Sequence, residues 1–342
     1  MKPKGALLQG ALALIGLGAV YVTWQKPEQP SSEEVVILDL PRGDLHRIRY
    51  QDGTRWIELD RRADPAGAAY WVRHGKLEAG PDVRDGGVAS LSSLTQDKTP
   101  PRELRANSTA EKVYERFEPF RASRALGTLD SAKVRELGLE GSVKTLELEG
   151  RTGKHRFRIS ATVLGAGSPY LQSEPDGRVY LLGNSAVSDL ESAPVRLVDR
   201  TLHAFKVADF DGFSVKTGNK QREFVARTPS PNASVVAPKS APNKPDEFAR
   251  NWHDKIWRLV VLEVLGKGEV PPSGEPSVVV RIEYSKKGSA VGWLELARPG
   301  PAAVASANNE LYARSEHTAG WVKLHPAVEE TIKEAAKIAT EP

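Results

Sequence analysis

YLQSEPDGRVYLLG at residues 170–183 and YARSEHTAGWVKLH at residues 312–325 decide how this chain folds. Each opens with Tyr-x-x-Ser-Glu, the copies lie 142 residues apart, and each runs through a turn into a second short stretch rich in β-branched and aromatic residues. Such runs, half-alternating and bounded by turn residues, are strands. Pro175-Asp176-Gly177 supplies the first turn, with Asp and Gly able to take the backbone conformations that a tight reversal needs.

Working outward, both copies sit at the end of a similar order of elements. Before the first come strand candidates at Val143–Gly150 and His155–Ala161; before the second, SVVVRIEYS (277–285) and VGWLELAR (291–298). Further upstream each half has a hairpin. One joins Leu45–Gln51 to Arg55–Arg61 through Asp52-Gly53, and the other turns about Gly218-Asn219 within Phe213–Arg227. VVILDL (35–40) and AYWVRHG (69–75) are read as further strands. A helix separates hairpin from strand series in each half. Ser108 with Glu111 three residues on is a capping box, and Pro119 ends or kinks that helix. Asp246 opens the second helix, whose apolar face takes in Phe248, Trp252, Ile256, Leu259 and Val260 as far as a stop at Gly266. Asp130–Gly138 and a terminal helix over 326–338 complete the set, the latter matched by a softer stretch at 187–198. The repeated order predicts a tandem duplication, with Tyr170 on Tyr312 and Glu174 on Glu316. Segments 78–107 and 228–245 are long and irregular, the second carrying five prolines.

Gly5 to Trp24 is an apolar run of 20 residues whose strongly polar member is Gln9. At ~1.5 Å per residue it spans the ~30 Å of a bilayer core. Lys2 and Lys4 precede it, and Tyr21 and Trp24 lie at its far end, so the positive side faces the cytoplasm. The expectation is an anchor over 1–24 that contacts the lipid bilayer through residues 5–24, a tether over 25–34, a first β-rich lobe over 35–204 and a second over 205–342. A signal peptide cut after Ala19 is the alternative, though the run exceeds the ~7–15 residues of its usual apolar core. The fold class expected is α+β: a transmembrane helix, then two similar lobes, each an antiparallel β-sheet with packed helices. The placement expected on this basis is single-pass in a bacterial inner membrane, N-terminus cytoplasmic and the bulk periplasmic.

Composition excludes several function classes. The 342 residues contain no cysteine, which removes disulfide frameworks, thiol nucleophiles, Cys-ligated zinc and iron–sulfur clusters. Of 48 Lys and Arg against 44 acids, two are Lys2 and Lys4, so the small positive excess is no nucleic-acid footprint. No nucleophile elbow, zinc-protease helix or phosphate loop occurs. Asp209–Gly212, DFDG, lacks the later ligands of a calcium loop and is read as a turn; Gly266-Lys267-Gly268 is read as a helix stop. The histidines (His46, His74, His155, His203, His253, His317, His325) show no ligand spacing, and Glu33-Glu34 and Glu329-Glu330 are exposed acid pairs. No catalytic residue, cofactor or metal is expected, and the chain is read as non-enzymatic. Trp56, Trp71, Trp293 and Trp321 are strand aromatics expected mainly in the core, with a sugar-stacking platform as the other reading. Alternation puts Val291, Trp293 and Glu295 on one strand face.

Leu137–Leu202 resembles the bacterial family of domain of unknown function 4340. The resemblance rests on Gly138-Leu139 before a strand, the displayed Tyr170, the strand Val179–Leu182 and the closing Leu197–Arg200; RWIELDR and YWVRHG resemble the family's opening hairpin. The second lobe lacks the Gly-Leu step and the closing Arg. The family carries no established catalytic residues, and its members stand beside ABC-transporter parts of gliding and export type. The resemblance therefore implies an accessory subunit of an envelope complex, with ABC-transporter permease or auxiliary subunits as protein partners and no nucleic acid. A cell-wall glycan or lipid binding module is the alternative.

Overall fold

The computed structural model describes residues 34–64, 67–79, 94–96, 101–160, 168–183, 185–230, 233–300 and 310–340. In chain order the first part runs β1 (Val35–Leu38), β2 (Leu45–Gln51), β3 (Arg55–Asp64), β4 (Gly67–Ala79), β5 (Leu94–Gln96), β6 (Arg102–Arg105), α1 (Ser108–Phe117), β7 (Phe120–Ala122), β8 (Arg124–Thr128) and α2 (Ser131–Glu136). It ends with β9 (Thr145–Gly150), β10 (Gly153–Ile159), β11 (Tyr170–Ser173), β12 (Arg178–Leu181), α3 (Ser188–Glu191) and α4 (Ala193–Arg196). The second part is β13 (Gly212–Thr217), β14 (Lys220–Ser230), β15 (Ala233–Pro238), α5 (Glu247–Trp257), β16 (Val261–Val264), β17 (Ser277–Lys286), β18 (Ser289–Arg298), β19 (Leu311–Ser315), β20 (Val322–Leu324) and α6 (Val328–Ile338).

Three antiparallel sheets result. The first has the order β5-β4-β3-β2-β9-β10-β11-β12-β8, with β6 also on β4; the second has β15-β14-β13-β17-β18-β19-β20-β16; β1 pairs with β7 alone. From β4 onward the first order maps strand for strand onto the second, including the early strand (β8 or β16) that travels to the far edge beside the last one. Tyr170 and Tyr312 fall on the corresponding strands β11 and β19.

Alternation explains the layers. In β2 the side chains of Leu45, Ile48 and Tyr50 are buried, and in β3 Ile57 and Leu59. They meet Val113, Tyr114 and Phe117 of α1 in the first core. The Tyr114 hydroxyl is satisfied there by donating to the carbonyls of Leu59 (2.8 Å) and His46 (3.0 Å). In the second sheet Val280, Ile282, Leu294 and Leu296 pack with Trp252 and Ile256 of α5 and with Ile332 and Ala335 of α6. Trp252 Nε1 donates to the carbonyl of Thr331 at 2.8 Å, tying the two helices together. β6 joins the halves: Leu104 lies in the second core, and the Glu103 carbonyl accepts from Lys267 N at 2.9 Å.

Several expectations are corrected. The class is mostly β, with 45% strand against 19% helix, rather than α+β. The anchor over 1–24 and most of the tether lie outside the described residues. Among the described residues no helix is long and apolar enough to cross a membrane. The longest helices have 11 residues, ~16 Å at 1.5 Å per residue, about half a bilayer core. No described helix therefore supplies the transmembrane helix of the expected fold class, and none supports the single-pass inner-membrane placement. α1 is capped by Asn107, whose side chain accepts from Thr109 N, rather than by Ser108. α5 stops at Trp257; Val260 lies 59% exposed beyond it, and Val261–Val264 is an edge strand. Part of the irregular segment 228–245 is strand β15.

Candidate functional site

Each large sheet buries one face under helices and turns the other outward, and the outward faces carry the charge. Register places Arg47 opposite Asp60 and Glu149, and Arg49 opposite Glu58 and Glu147. Arg73 lies opposite Glu58. These rows form a cross-strand ion ladder. Burial raises the Asp60 carboxyl, but hydrogen bonds from Arg47 and Arg62 and the charge of Arg73 outweigh that and hold it below the usual carboxylate range.

The four strand tryptophans stand on this outward side, not in either helix-packed core. Each is covered by an arginine. Arg49 lies 4.9 Å from the Trp56 ring centre, Arg62 5.1 Å from Trp71, Arg281 5.1 Å from Trp293 and Arg314 4.3 Å from Trp321. Each arginine is also held by an acid. Arg49 reaches Glu58 at 3.5 Å, and Arg62 reaches Glu103 at 3.0 Å and Asp60 at 3.0 Å. Arg281 and Arg314 share Glu295, at 2.5 and 2.6 Å. A guanidinium stacked on an indole and tied to a carboxylate has one orientation, so the face is rigid at these points. Lys267 of the second half reaches 5.9 Å from the Trp71 ring, so both halves contribute to one such group.

The second sheet deepens into a cleft at its tryptophans. The cleft, of about 600 Å³, is lined by Trp293, Trp321, Arg281, Arg314, Glu295 and Glu275 among others. Trp321 is almost buried, against Ala297 and Tyr312, and its Nε1 donates to Glu275 Oε1 at 3.1 Å. Trp293 is half-buried. Glu316 fixes the turn behind it, accepting from Trp293 N at 2.9 Å and pairing with His203 Nδ1 at 3.1 Å. Gly292 is glycine for a steric reason: a Cβ there would stand 2.5 Å from Phe205 and 2.7 Å from Glu316. A second pair, His317 Nε2 to Asp199 Oδ2 at 2.8 Å, ties the same turn to the segment joining the halves.

The corresponding place in the first sheet has other chemistry. Register matches Trp293 with Arg156, Glu295 with Arg158, Arg281 with Thr145 and Arg314 with Gln172.

The remaining sequence candidates have structural roles. Asp211 of the DFDG turn accepts from Lys287 N through both oxygens at 3.0 Å. Gly266 N donates to Glu269, and Gly268 takes a left-handed φ of 74°. The structure brings His203 and His317 to carboxylates, places His46 3.4 Å from Glu149, and buries His253 among aromatic rings. His325 accepts from Ala327 N. Among the described residues no group of three or more His, Cys, Asp or Glu side chains is placed to hold a metal ion. Sequence reading missed Arg281 and Arg314 and gave Glu295 a place on the Trp293 face but no role. The signal available was the alternation Arg-x-Glu in β17, Trp-x-Glu in β18 and the lone Arg in β19. A comparison with protein-family models, curated proteins and solved structures finds no match for the chain.

Proposed function

We propose that the chain is a non-enzymatic recognition protein, an accessory subunit that binds a protein partner through its outward tryptophan–arginine face. The observation carrying this is that the four tryptophans lie on the sheet faces away from the helix-packed cores, each under an arginine, with Trp71 and Trp293 partly exposed and Trp56 and Trp321 buried beside them. Tryptophan and arginine are the side chains most enriched where protein–protein binding energy concentrates, and rigid ones bind at a smaller entropic cost. A sheet stabilised by its own core has no folding need for indoles on the far face. The resemblance to a family found beside ABC-transporter parts indicates where to look for the partner. The test is co-purification of tagged full-length chain, wild type against Trp71→Ala and Arg62→Gln. Circular dichroism verifies the fold. Loss of a stoichiometric partner in the folded variants supports the reading. A partner held equally well by both variants, and lost instead when exposed Phe248 on α5 is changed, would sink it.

A further inference from the structure

We infer that the cleft of the second sheet is a saccharide-binding site, with the half-buried Trp293 indole as its apolar wall and Arg281, which lies over that ring, and Arg314 as donors to ring hydroxyls. This goes beyond the protein-recognition reading and stands on different residues from those that test it.

The charge of the cleft selects against ions. Its lining contains two guanidiniums, Arg281 and Arg314, and three carboxylates, Glu269, Glu275 and Glu295. Charges of both signs are paired inside the lining and from outside it, Glu269 with Arg102 at 2.6 Å and Arg281 with Glu283 at 2.8 Å, so neither sign stands alone. A ligand anion meets Glu275, a ligand cation meets the arginines, and neither gains on balance.

The hydrogen-bonding capacity left over is directional. Glu295 is 6% exposed, and its two oxygens are taken by Arg281 Nη1 and Arg314 Nε. Arg281 also spends Nε on Glu283. The remaining guanidinium nitrogens, Nη2 of Arg281 and both Nη of Arg314, have no protein partner among the described residues. They are planar donors fixed in place by stacking and by Glu295, the arrangement that reads two neighbouring oxygens at set spacing. Glu275 spends one oxygen on Trp321 and keeps the other as an acceptor. Donors and an acceptor beside a flat apolar ring match a pyranose, which offers adjacent hydroxyls at its edge and C–H groups on its face. Gly268 on the rim carries no side chain, and a Cβ there would meet open space.

Stoichiometry is set by the duplication. With Arg156, Arg158, Thr145 and Gln172 at the matching positions, the first sheet has neither indole nor triad at that place, so the described residues hold one such site.

The experiment is saturation-transfer NMR and calorimetry on the full chain with three neutral probes, maltotriose, cellotriose and tri-N-acetylchitotriose. Galacturonic acid trimer serves as the anionic comparison. At least one neutral trisaccharide is expected to bind saturably at one site per chain, with the strongest transfer to ring C–H protons. Trp293→Ala should weaken it by roughly tenfold or more, the scale of one lost aromatic contact. Arg314→Lys, which keeps the charge and the fold but not the planar fork, should weaken it too. Trp71→Ala should leave it unchanged, so this result is independent of the protein-partner test. Absence of binding by all three neutral probes overturns the inference. So does binding indifferent to Trp293→Ala and Arg314→Lys, or a preference for the polyanion.

Discussion

His253 should make the second half acid-sensitive well above the range where carboxylates titrate. The ring is 3% exposed, stacked 4.6 Å from Phe213 with Phe210, Trp257 and Tyr284 around it, and its Nε2 has no hydrogen-bond partner. Burial, with a smaller contribution from the charge of His203, pushes its pKa down to about 4. An unfolded histidine titrates near 6.5. Between those values the unfolded chain binds a proton that the folded chain refuses, so stability falls as pH drops through the window and stops falling below about 4. At ~1.36 kcal/mol per unit, going from pH 7 to pH 5 costs about 2 kcal/mol. With a urea slope of ~2 kcal/mol/M the unfolding midpoint moves down by about 1 M. His74, also lowered by burial, adds in the same direction, so the informative quantity is a difference between proteins. His253→Phe keeps a ring in the aromatic stack and removes the titration. Urea unfolding at several pH values between 4.5 and 7.5, followed by near-UV circular dichroism, should show a flatter profile for the variant. Parallel profiles would refute the reasoning.

Three further perturbations have expected outcomes. Glu118 has a fully buried side chain holding Arg61 through two 3.0 Å bonds and capping Leu45 N at 2.7 Å. Glu118→Ala strands the partly buried Arg61 guanidinium and should cost ~3 kcal/mol in a denaturant titration. Gly292→Ala forces Phe205 and Glu316 to move and should cost ~1–3 kcal/mol. It should also perturb the ¹⁹F signal of fluorotryptophan at Trp293, which an unrelated core substitution would leave in place. Burial raises the carboxyls of Asp199 and Glu316, but hydrogen bonds from His317 and His203 more than offset it and leave both below their usual range. The stability they add is present above the unfolded carboxylate value and lost as pH falls through the depressed folded value. The double variant Asp199→Asn, Glu316→Gln should therefore be less stable at pH 6 and lose less between pH 5 and 3 in thermal melts.

The hairpins and the strand series were legible because their information is local. Ile48 and Tyr50 alternate with Arg47, Arg49 and Gln51, and Gly177 and Gly218 take left-handed φ values of 69° and 54° where Pro-Asp-Gly and Gly-Asn predict reversals. The Trp252 and Ile256 face of α5 was readable for the same reason. Leu259 and Val260 misled because they continue the apolar rhythm after the chain has left the helix at Arg258. Nothing local marks where a helix yields to an edge strand that pairs with residues 322–324. Of the tryptophans expected mainly in the core, Trp56 and Trp321 are buried and Trp71 and Trp293 are partly exposed. Alternation correctly put Trp293 and Glu295 on one face of β18, but which face is covered is decided by the neighbouring strands. Leu294 and Leu296 are wholly buried against β17 and β19 partners, so Trp293 is left outside. Alternation marks the outward faces of the three strands, but the Arg281–Glu295–Arg314 triad is assembled across them by register, which no single strand carries.

The repeated motif shows how far such a pattern informs on chemistry. Tyr-x-x-Ser-Glu ends β11 and β19 alike, yet its glutamates do different work. Glu174 sits 3.6 and 3.7 Å from Arg156 and Arg158, closing the ion ladder of the first sheet. Glu316 turns instead to Trp293 N and to His203, and so supports the cleft from behind. What the copies share is what the strand pair requires: inward apolar residues, Leu171 in one and Ala313 in the other, and a chain reversal after the glutamate. Outward positions are bound only by the need to pair charge with charge, which many residue combinations satisfy. The first sheet meets it with Arg156 opposite Glu147 and with Arg156 and Arg158 near Glu174, and the second places an indole where Arg156 stands. Two lobes of one topology therefore offer different surfaces, and a function built on the outward face of one need not be present on the other.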